Sequence, residues 1–190
     1  MLPLDSVLWN ELRVSNGNAS QIPALIAQIA STPESQLASH EEIQLEIFDL
    51  LCHQWSTYES TIATVPHLVV LVDGLEKKSP LRRSYLSMIS WFTACIRLNE
   101  TSARQDLMDS FEAHLKVAQR QILESIPGAP KGAPNRAGSL ENMLACYGIV
   151  SEATIFGITI WRLSEAIRCE TCGNSISALE SSMNPFAKSR

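Results

Sequence analysis

Four polar side chains fall at a spacing that would bring them together on a helix. Glu42, Glu46, Asp49 and His53 are separated by four, three and four residues, so a helix would align them in one stripe. Glu46, Asp49 and His53 could converge on a divalent metal, because carboxylates and an imidazole that point the same way are suitable ligands, and Glu59 is the nearest candidate for a further ligand. The alternative is a solvated acidic helix face, because a metal site normally needs a ligand from a second element.

A polar elbow, Trp55 to Tyr58, follows this stripe. Tyr58 and Glu59, together with His53 and His67, could frame a small-molecule pocket at the elbow. The alternative is that they fix the turn by hydrogen bonds. This segment is the best position for an enzyme or ligand site, although the chain contains no nucleophile elbow, phosphate-binding glycine loop or His-Glu-x-x-His motif.

Five cysteines raise the question of zinc. Cys169 and Cys172, followed by Gly173, have the spacing of half a zinc knuckle, but a closed site needs four ligands. A helix end capped by Gly173 is the alternative. The remaining cysteines sit singly among apolar residues, as buried thiols do in a reducing compartment, so we expect a cytoplasmic protein. They are Cys52, Cys95 and Cys146.

Composition restricts the partners. The chain of 190 residues is 45% hydrophobic and carries a formal net charge of −5, which disfavours nucleic acid and anionic membranes. The acidic residues of the opening MLPLDSVLWNELR do not suit a signal peptide, and no uncharged run approaches the ~18 residues that cross a bilayer.

Apolar periodicity predicts a chain of helices. Pro66 should bend the fourth helix. Near the end of the chain, Ile158 to Ile160 could form a short strand instead of helix, because Gly157 and the β-branched residues weaken the helical pattern. The predicted helices cover approximately 5–13, 20–31, 36–54, 59–75, 79–99 and 102–126, with two more around 140–147 and 156–167.

Two of these segments repeat. With an offset of 43 residues, Pro23 aligns with Pro66 and Leu25 with Leu68, and apolar residues align on either side. A stack of helical hairpins has such a period. The sequence therefore predicts an all-α fold, a short right-handed α-solenoid of about four antiparallel helix pairs. We expect one domain over 1–190, with a mobile Pro/Gly loop at 127–139 and a loose tail at 181–190.

The elbow and the helix after it resemble a segment of bacterial HEAT-like (armadillo-type) repeat proteins. In those proteins a His-Gln-Gly-Thr-x-Tyr type elbow precedes an apolar helix with a Pro-x-Leu signature. The resemblance covers about residues 5 to 75 and implies a helical-repeat architecture, in a family of mostly unassigned function. Trp55 stands where glycine is usual, so we expect an altered elbow. The matching residues are His53, Gln54, Tyr58, Pro66 and Leu68.

The leading functional prediction is a non-enzymatic protein-binding module. Solenoids expose long surfaces, and the stripe of Glu42, Glu46 and Asp49 would suit a basic protein partner. Given the resemblance, one setting is a bacterial toxin-immunity or regulatory system. The runner-up is a small-molecule or metal-dependent enzyme that uses the elbow from His53 to Glu59, and a third alternative is a purely structural subunit. Either a monomer or a homodimer is compatible with the sequence.

Overall fold

A computed structural model describes residues 1–53, 55–129, 140–151, 153–154 and 157–159. Helices dominate this part of the chain, which confirms the all-α prediction. Two-residue strands pair in two antiparallel hairpins, β1 (Arg13–Val14) with β2 (Gly17–Asn18) and β3 (Cys52–His53) with β4 (Ser56–Thr57). The helices are α1 (Ile22–Ser31), α2 (Leu37–Leu51), α3 (Glu59–Asp73), α4 (Pro80–Leu98), α5 (Gln105–Ser125) and α6 (Leu140–Val150), with short 3-10 helices at Val7–Asn10 and Ile126–Gly128.

Helix α4 has the start and the buried stripe that its sequence predicts. The Ser79 hydroxyl accepts a hydrogen bond from Leu81 N–H at 3.1 Å, and Pro80 occupies the first turn, where its missing N–H costs nothing. The apolar stripe is buried along the whole helix because α4 packs against helices on several sides. Its members are Leu81, Tyr85, Met88, Ile89, Phe92 and Ile96.

The repeated segments bury the same positions. Leu25 and Ile29 in α1, like Leu68 and Val72 in α3, are buried. The two prolines differ in their place along the helix. Pro23 lies in the first turn of α1, whereas Pro66 lies inside α3, which begins earlier and is one continuous helix through the proline. The copies therefore share a buried face rather than a common helix start.

Helices contact one another in an alternating order. Helix α3 packs against α1 and α5, while α4 packs against α2 and α6. Consecutive helices pack as well, including α1 with α2 and α3 with α4. Buried apolar residues from Leu2 to Val150 join in one cluster, so the described helices share a single core. Among the described helices, none is both long and apolar enough to cross a membrane.

Two predicted helix boundaries are wrong. The first helix is only a 3-10 turn, Val7–Asn10, with the Ser6 hydroxyl accepting from Leu8 N–H, and the chain then turns into a hairpin in which Gly17 has φ +130°. Helix α2 ends at Leu51 rather than near Gln54, because Cys52 and His53 pair with the strand across the turn. At the start of the predicted loop, 127–139, the chain forms the 3-10 turn Ile126–Gly128, and 130–139 lie outside the described residues.

The end of the chain answers one open alternative. Ile158 and Thr159 are helical, so the strand alternative is wrong for these two residues, and Ile160 lies outside the described residues. The remainder of the predicted last helix and the predicted tail at 181–190 lie outside the described residues.

Candidate functional site: the acidic face of α2 and the adjoining hairpin

The predicted acidic stripe lies on the exposed side of α2. Glu42, Glu46 and Asp49 are all exposed, and they are called the acidic face below. Ile43 and Ile47 on the opposite side are 4% and 0% exposed. The buried side fixes the helix on the core, so the three carboxylates project from a backbone that is held in place. Within the described residues, none of the three forms an ion pair.

The first hairpin holds the C-terminal end of this helix. Ser15 N–H donates to the Leu50 carbonyl at 2.9 Å, and the Ser15 hydroxyl donates to the Asp49 carbonyl at 2.9 Å. The last carbonyls of a helix have no partner within the helix, so Ser15 supplies donors that α2 lacks. The Asp49 end of the acidic face is therefore fixed by the neighbouring hairpin.

His53 lies off the helix that was predicted to carry it. It is exposed on β3, where it pairs with Ser56 across the second hairpin. The helical spacing that would align its imidazole with Glu46 and Asp49 therefore does not apply. No group of three or more His, Cys, Asp or Glu side chains in the described part of the chain is arranged to hold a metal ion. Cys169 and Cys172, the weaker zinc candidates, fall outside it.

The elbow carries an unusual backbone conformation at Trp55. Its φ is 70°, in the left-handed region that favours glycine and costs other residues roughly 1 kcal/mol or more. The ring centroid of Trp55 lies 4.5 Å from that of Trp91 on α4. This contact helps to offset the strain, because tryptophan pairs bury a large apolar area. The hairpin is thereby attached to α4.

Tyr58 and Glu59 set the start of α3. Tyr58 N–H donates to the Thr61 hydroxyl oxygen at 3.1 Å, and that hydroxyl donates to the Leu51 carbonyl at 2.7 Å. One threonine thus joins the start of α3 to the end of α2. Glu59 is exposed at the first position of α3, where a carboxylate interacts favourably with the helix dipole. These contacts match the alternative reading in which the elbow residues fix the turn.

Glu59 also contributes to a charged group beside α5. The exposed Arg104 guanidinium forms a bidentate pair with Asp106, at 2.8 and 3.1 Å, and this pair raises the pKa of Arg104. The carboxylates of Glu11 and Glu59 add smaller effects in the same direction. The first turns of α3 and α5 and the residue that follows the first 3-10 helix therefore contribute charge to one neighbourhood.

The two elbow histidines have different environments. His53 is exposed, whereas His67 is buried and its Nε2–H donates to the Leu2 carbonyl at 2.8 Å. Burial lowers the pKa of His67, so its imidazole is neutral near pH 7. His67 packs beside Trp9, with 6.0 Å between ring centroids, and it serves the core rather than a pocket shared with His53. His114 is half-buried and bonded to the Ser110 carbonyl, which agrees with a packed imidazole.

Sequence reasoning missed two buried polar groupings. Cys52 and Cys95 were predicted to sit singly, but their Sγ atoms are 3.4 Å apart. Their separation of 43 residues equals the repeat offset, and that equality was the available signal. The second grouping lies between α2 and α4, where the Tyr85 hydroxyl is 2.9 Å from His40 Nδ1 and the Ser84 hydroxyl donates to the side-chain Oε1 of Gln44 at 3.0 Å.

No known family model matches this chain, and neither a curated protein nor a solved structure matches it. The HEAT-like resemblance of the elbow therefore stays a prediction. The functional argument rests on the geometry of the described residues.

Proposed function

We propose that this chain is a protein-binding helical-repeat module whose acidic face docks a basic segment of a partner protein. Its architecture in this proposal is a short right-handed α-solenoid. The observation that carries the proposal is the acidic face itself: Glu42, Glu46 and Asp49 are exposed together on a helix whose other side is fixed in the core. Carboxylates that form no ion pair and project from a fixed backbone attract a basic partner at long range. They also fix the position of that partner once it is bound.

The repeat architecture is supported by contacts between equivalent positions. Besides the alternating order of the helices, hydrogen bonds join residues about one repeat apart. The Thr57 and Thr101 hydroxyls are 2.6 Å apart, and Arg82 Nε and the Ser125 hydroxyl are 3.4 Å apart, across 44 and 43 residues. Contacts at a constant sequence separation are what stacked units produce.

The alternative of a small-molecule or metal-dependent enzyme at the elbow receives less support. His53 is exposed and has left the helix, and Tyr58 is engaged in the start of α3 through its backbone. Glu59 contributes to the charge around Arg104. These positions do not converge with Glu46 and Asp49 into a ligand set.

A charge-reversal experiment tests the proposal. The acidic-face variant changes Glu42, Glu46 and Asp49 to lysine, and proteins captured from lysate are quantified against the wild type by mass spectrometry. The matched control changes Asp5, Glu76 and Glu112, which are also exposed, to lysine and gives the same change of net charge. We expect the first variant to lose a basic partner that the control retains.

The captured partner then provides a second measurement. Its association rate with the purified chain should fall steeply as ionic strength rises, because exposed charges are screened beyond roughly 10 Å at 0.1 M salt. Equal recovery of every partner by the wild type and the acidic-face variant would remove the role of the acidic face. Equal losses by both variants would mean that net charge alone accounts for the binding.

The biological setting is a further part of the proposal. The resemblance to bacterial HEAT-like proteins favours a cytoplasmic toxin-immunity or regulatory system, in which a small acidic module would mask a basic surface. Light scattering would show whether the module is a monomer or a homodimer before a partner is added.

A further inference from the structure

Two cysteines from different helix pairs are in contact inside the core. Cys52 is the first residue of β3, directly after α2, and Cys95 lies in the last turn of α4. Their Sγ atoms are 3.4 Å apart, whereas a disulfide bond is ~2.05 Å long. The third buried cysteine, Cys146 on α6, is not part of this pair.

We propose that Cys52 and Cys95 form a reversible disulfide when the protein meets hydrogen peroxide. The inference is independent of the proposed protein-binding function. It assigns an oxidative modification site to the junction between the second hairpin and α4.

The hairpin holds the two sulfur atoms close. The Thr57 hydroxyl lies 2.6 Å from that of Thr101, just beyond the end of α4, and the Asn99 amide donates to the Trp55 carbonyl. The Trp55 ring packs on Trp91, one turn before Cys95. Three contacts on the same hairpin thus fix the approach of β3 to α4 and keep the two sulfur atoms in contact.

The two thiols have different roles. Cys52 is 3% exposed and Cys95 is fully buried, so a small oxidant reaches Cys52 first. The hydrogen bond that Cys52 shares with the Cys95 thiol lowers the pKa of Cys52 against the opposing effect of burial, with further bonds to the Trp91 side chain and the Trp55 backbone. The same pairing and burial raise the pKa of Cys95. Cys52 is therefore the nucleophile and Cys95 the resolving thiol.

The reaction balances in two steps. The Cys52 thiolate attacks one oxygen of hydrogen peroxide, an S–O bond forms, the O–O bond breaks, and the departing hydroxide takes up a proton to give water. Cys95 then loses its proton and its sulfur attacks the Cys52 sulfur, so that the S–S bond forms and the S–O bond breaks. The second hydroxide leaves as water. In total the two thiols lose two protons and two electrons, which reduce one peroxide to two waters.

Peptide mapping of the folded protein tests the proposal. The reduced protein is treated with hydrogen peroxide under native conditions. It is then unfolded in urea that contains N-ethylmaleimide, which blocks the remaining thiols, and is digested with trypsin without reductant. The cysteines fall in separate tryptic peptides: Cys52 in 14–77, Cys95 in 84–97, Cys146 in 137–162, and the remaining two in 169–188. We expect peptides 14–77 and 84–97 to be joined, and to separate after reduction.

Variants distinguish the nucleophile from the resolving thiol. Cys95→Ser should abolish the joined peptides and increase several-fold the sulfenic acid trapped on Cys52 by dimedone. Cys52→Ser should abolish both products. Cys146→Ser is the matched control and should keep the joined peptides, because burial raises the pKa of Cys146 to about 12 and leaves its thiol protonated. Circular dichroism of each variant verifies that it is folded.

Three results would overturn the inference. The first is that peptides 14–77 and 84–97 stay separate in folded wild-type protein at peroxide doses that oxidise the control peptide 169–188. The second is joining of either peptide to 137–162 as readily as to each other. The third is a joined pair that dithiothreitol does not separate.

Discussion

Arg82 is a buried cation that joins three helices, and its removal tests how the helix ends are stabilised. The residue is 2% exposed on α4. Its guanidinium donates to the Val72 carbonyl at 2.8 Å and to the Leu75 carbonyl at 3.2 Å, at the end of α3. It also approaches Glu124 at 3.3 Å near the end of α5. We predict that Arg82→Met destabilises the fold.

The magnitude follows from these contacts. A hydrogen bond from a charged donor contributes about 1.5 to 3 kcal/mol, but the Val72 carbonyl also accepts from Leu75 N–H and keeps one partner. The ion pair with Glu124 adds at most about 1 kcal/mol, because that carboxylate side chain is 35% exposed. Arg82→Met also removes the desolvation cost of the buried guanidinium, and this offsets part of the destabilisation. The net expectation is a destabilisation of about 2 to 3 kcal/mol.

Urea denaturation measures this change. With a slope of about 2 kcal/mol per molar urea, the midpoint should fall by about 1 to 1.5 M. The matched control is Arg104→Met, which removes an exposed arginine paired with Asp106 and should leave the urea midpoint nearly unchanged, because exposed ion pairs contribute little to stability. Arg82→Lys should be intermediate, because one ammonium cannot reach both carbonyls as a guanidinium does.

An unchanged or raised midpoint for Arg82→Met would refute the reasoning. It would mean that the cost of burying the guanidinium outweighs its bonds to the carbonyls, as happens in some buried ion pairs. If Arg82→Met lowers the midpoint no more than Arg104→Met does, Arg82 stabilises the fold only through its exposed partner Glu124. Its bonds to the carbonyls at the end of α3 would then contribute nothing measurable.

Three other predictions use buried features of the fold. Burial lowers the pKa of His67 below its ordinary 6.5, so the unfolded state binds more protons than the folded state. The free energy of unfolding should therefore fall as pH drops through 6.5. In urea titrations at several pH values, His67→Gln should reduce this dependence on pH. Gly157→Ala should lower the free energy of unfolding by about 1 to 3 kcal/mol, since its Cβ would lie 2.5 Å from the Ala145 carbonyl oxygen. In the control Gly74→Ala, the new Cβ makes only an ordinary contact at 3.5 Å and should not lower the urea midpoint. Oxidation of Cys52 and Cys95 closes a 43-residue loop and should raise the free energy of unfolding by up to about 4 kcal/mol, a gain that equal midpoints of oxidised and reduced protein would disprove.

The sequence predicted the helices better than their connections. Ser79 and Pro80 mark the start of α4, and apolar spacing gives its buried face, because both signals are local. The strand at Cys52 and His53 has only two residues, too few to show the alternating pattern of a strand. The helix predicted from the sequence therefore continues through it. The left-handed backbone of Trp55 depends on its packing with Trp91, which only tertiary structure reveals.

The candidate site was predicted in part for the same reason. The exposure of Glu42, Glu46 and Asp49 follows from the helical period, so spacing alone was enough to group them. His53 does not lie beside them on α2, because that helix ends at Leu51 and His53 lies on β3. The pairing of Cys52 with Cys95 joins the end of α2 to α4, and spacing could suggest it only through the 43-residue offset.

The conformation of Trp55 has a consequence for which substitutions this position accepts. Backbone and side chain make opposite demands here: glycine would relax the φ of 70° but remove the ring that lies against Trp91. Phenylalanine would retain an aromatic ring and keep the strain, and asparagine would ease the strain without a ring. Because no natural side chain meets both demands fully, variation at position 55 should be tolerated poorly in either direction, and a saturation library would show two separate penalties instead of a single ranking by size.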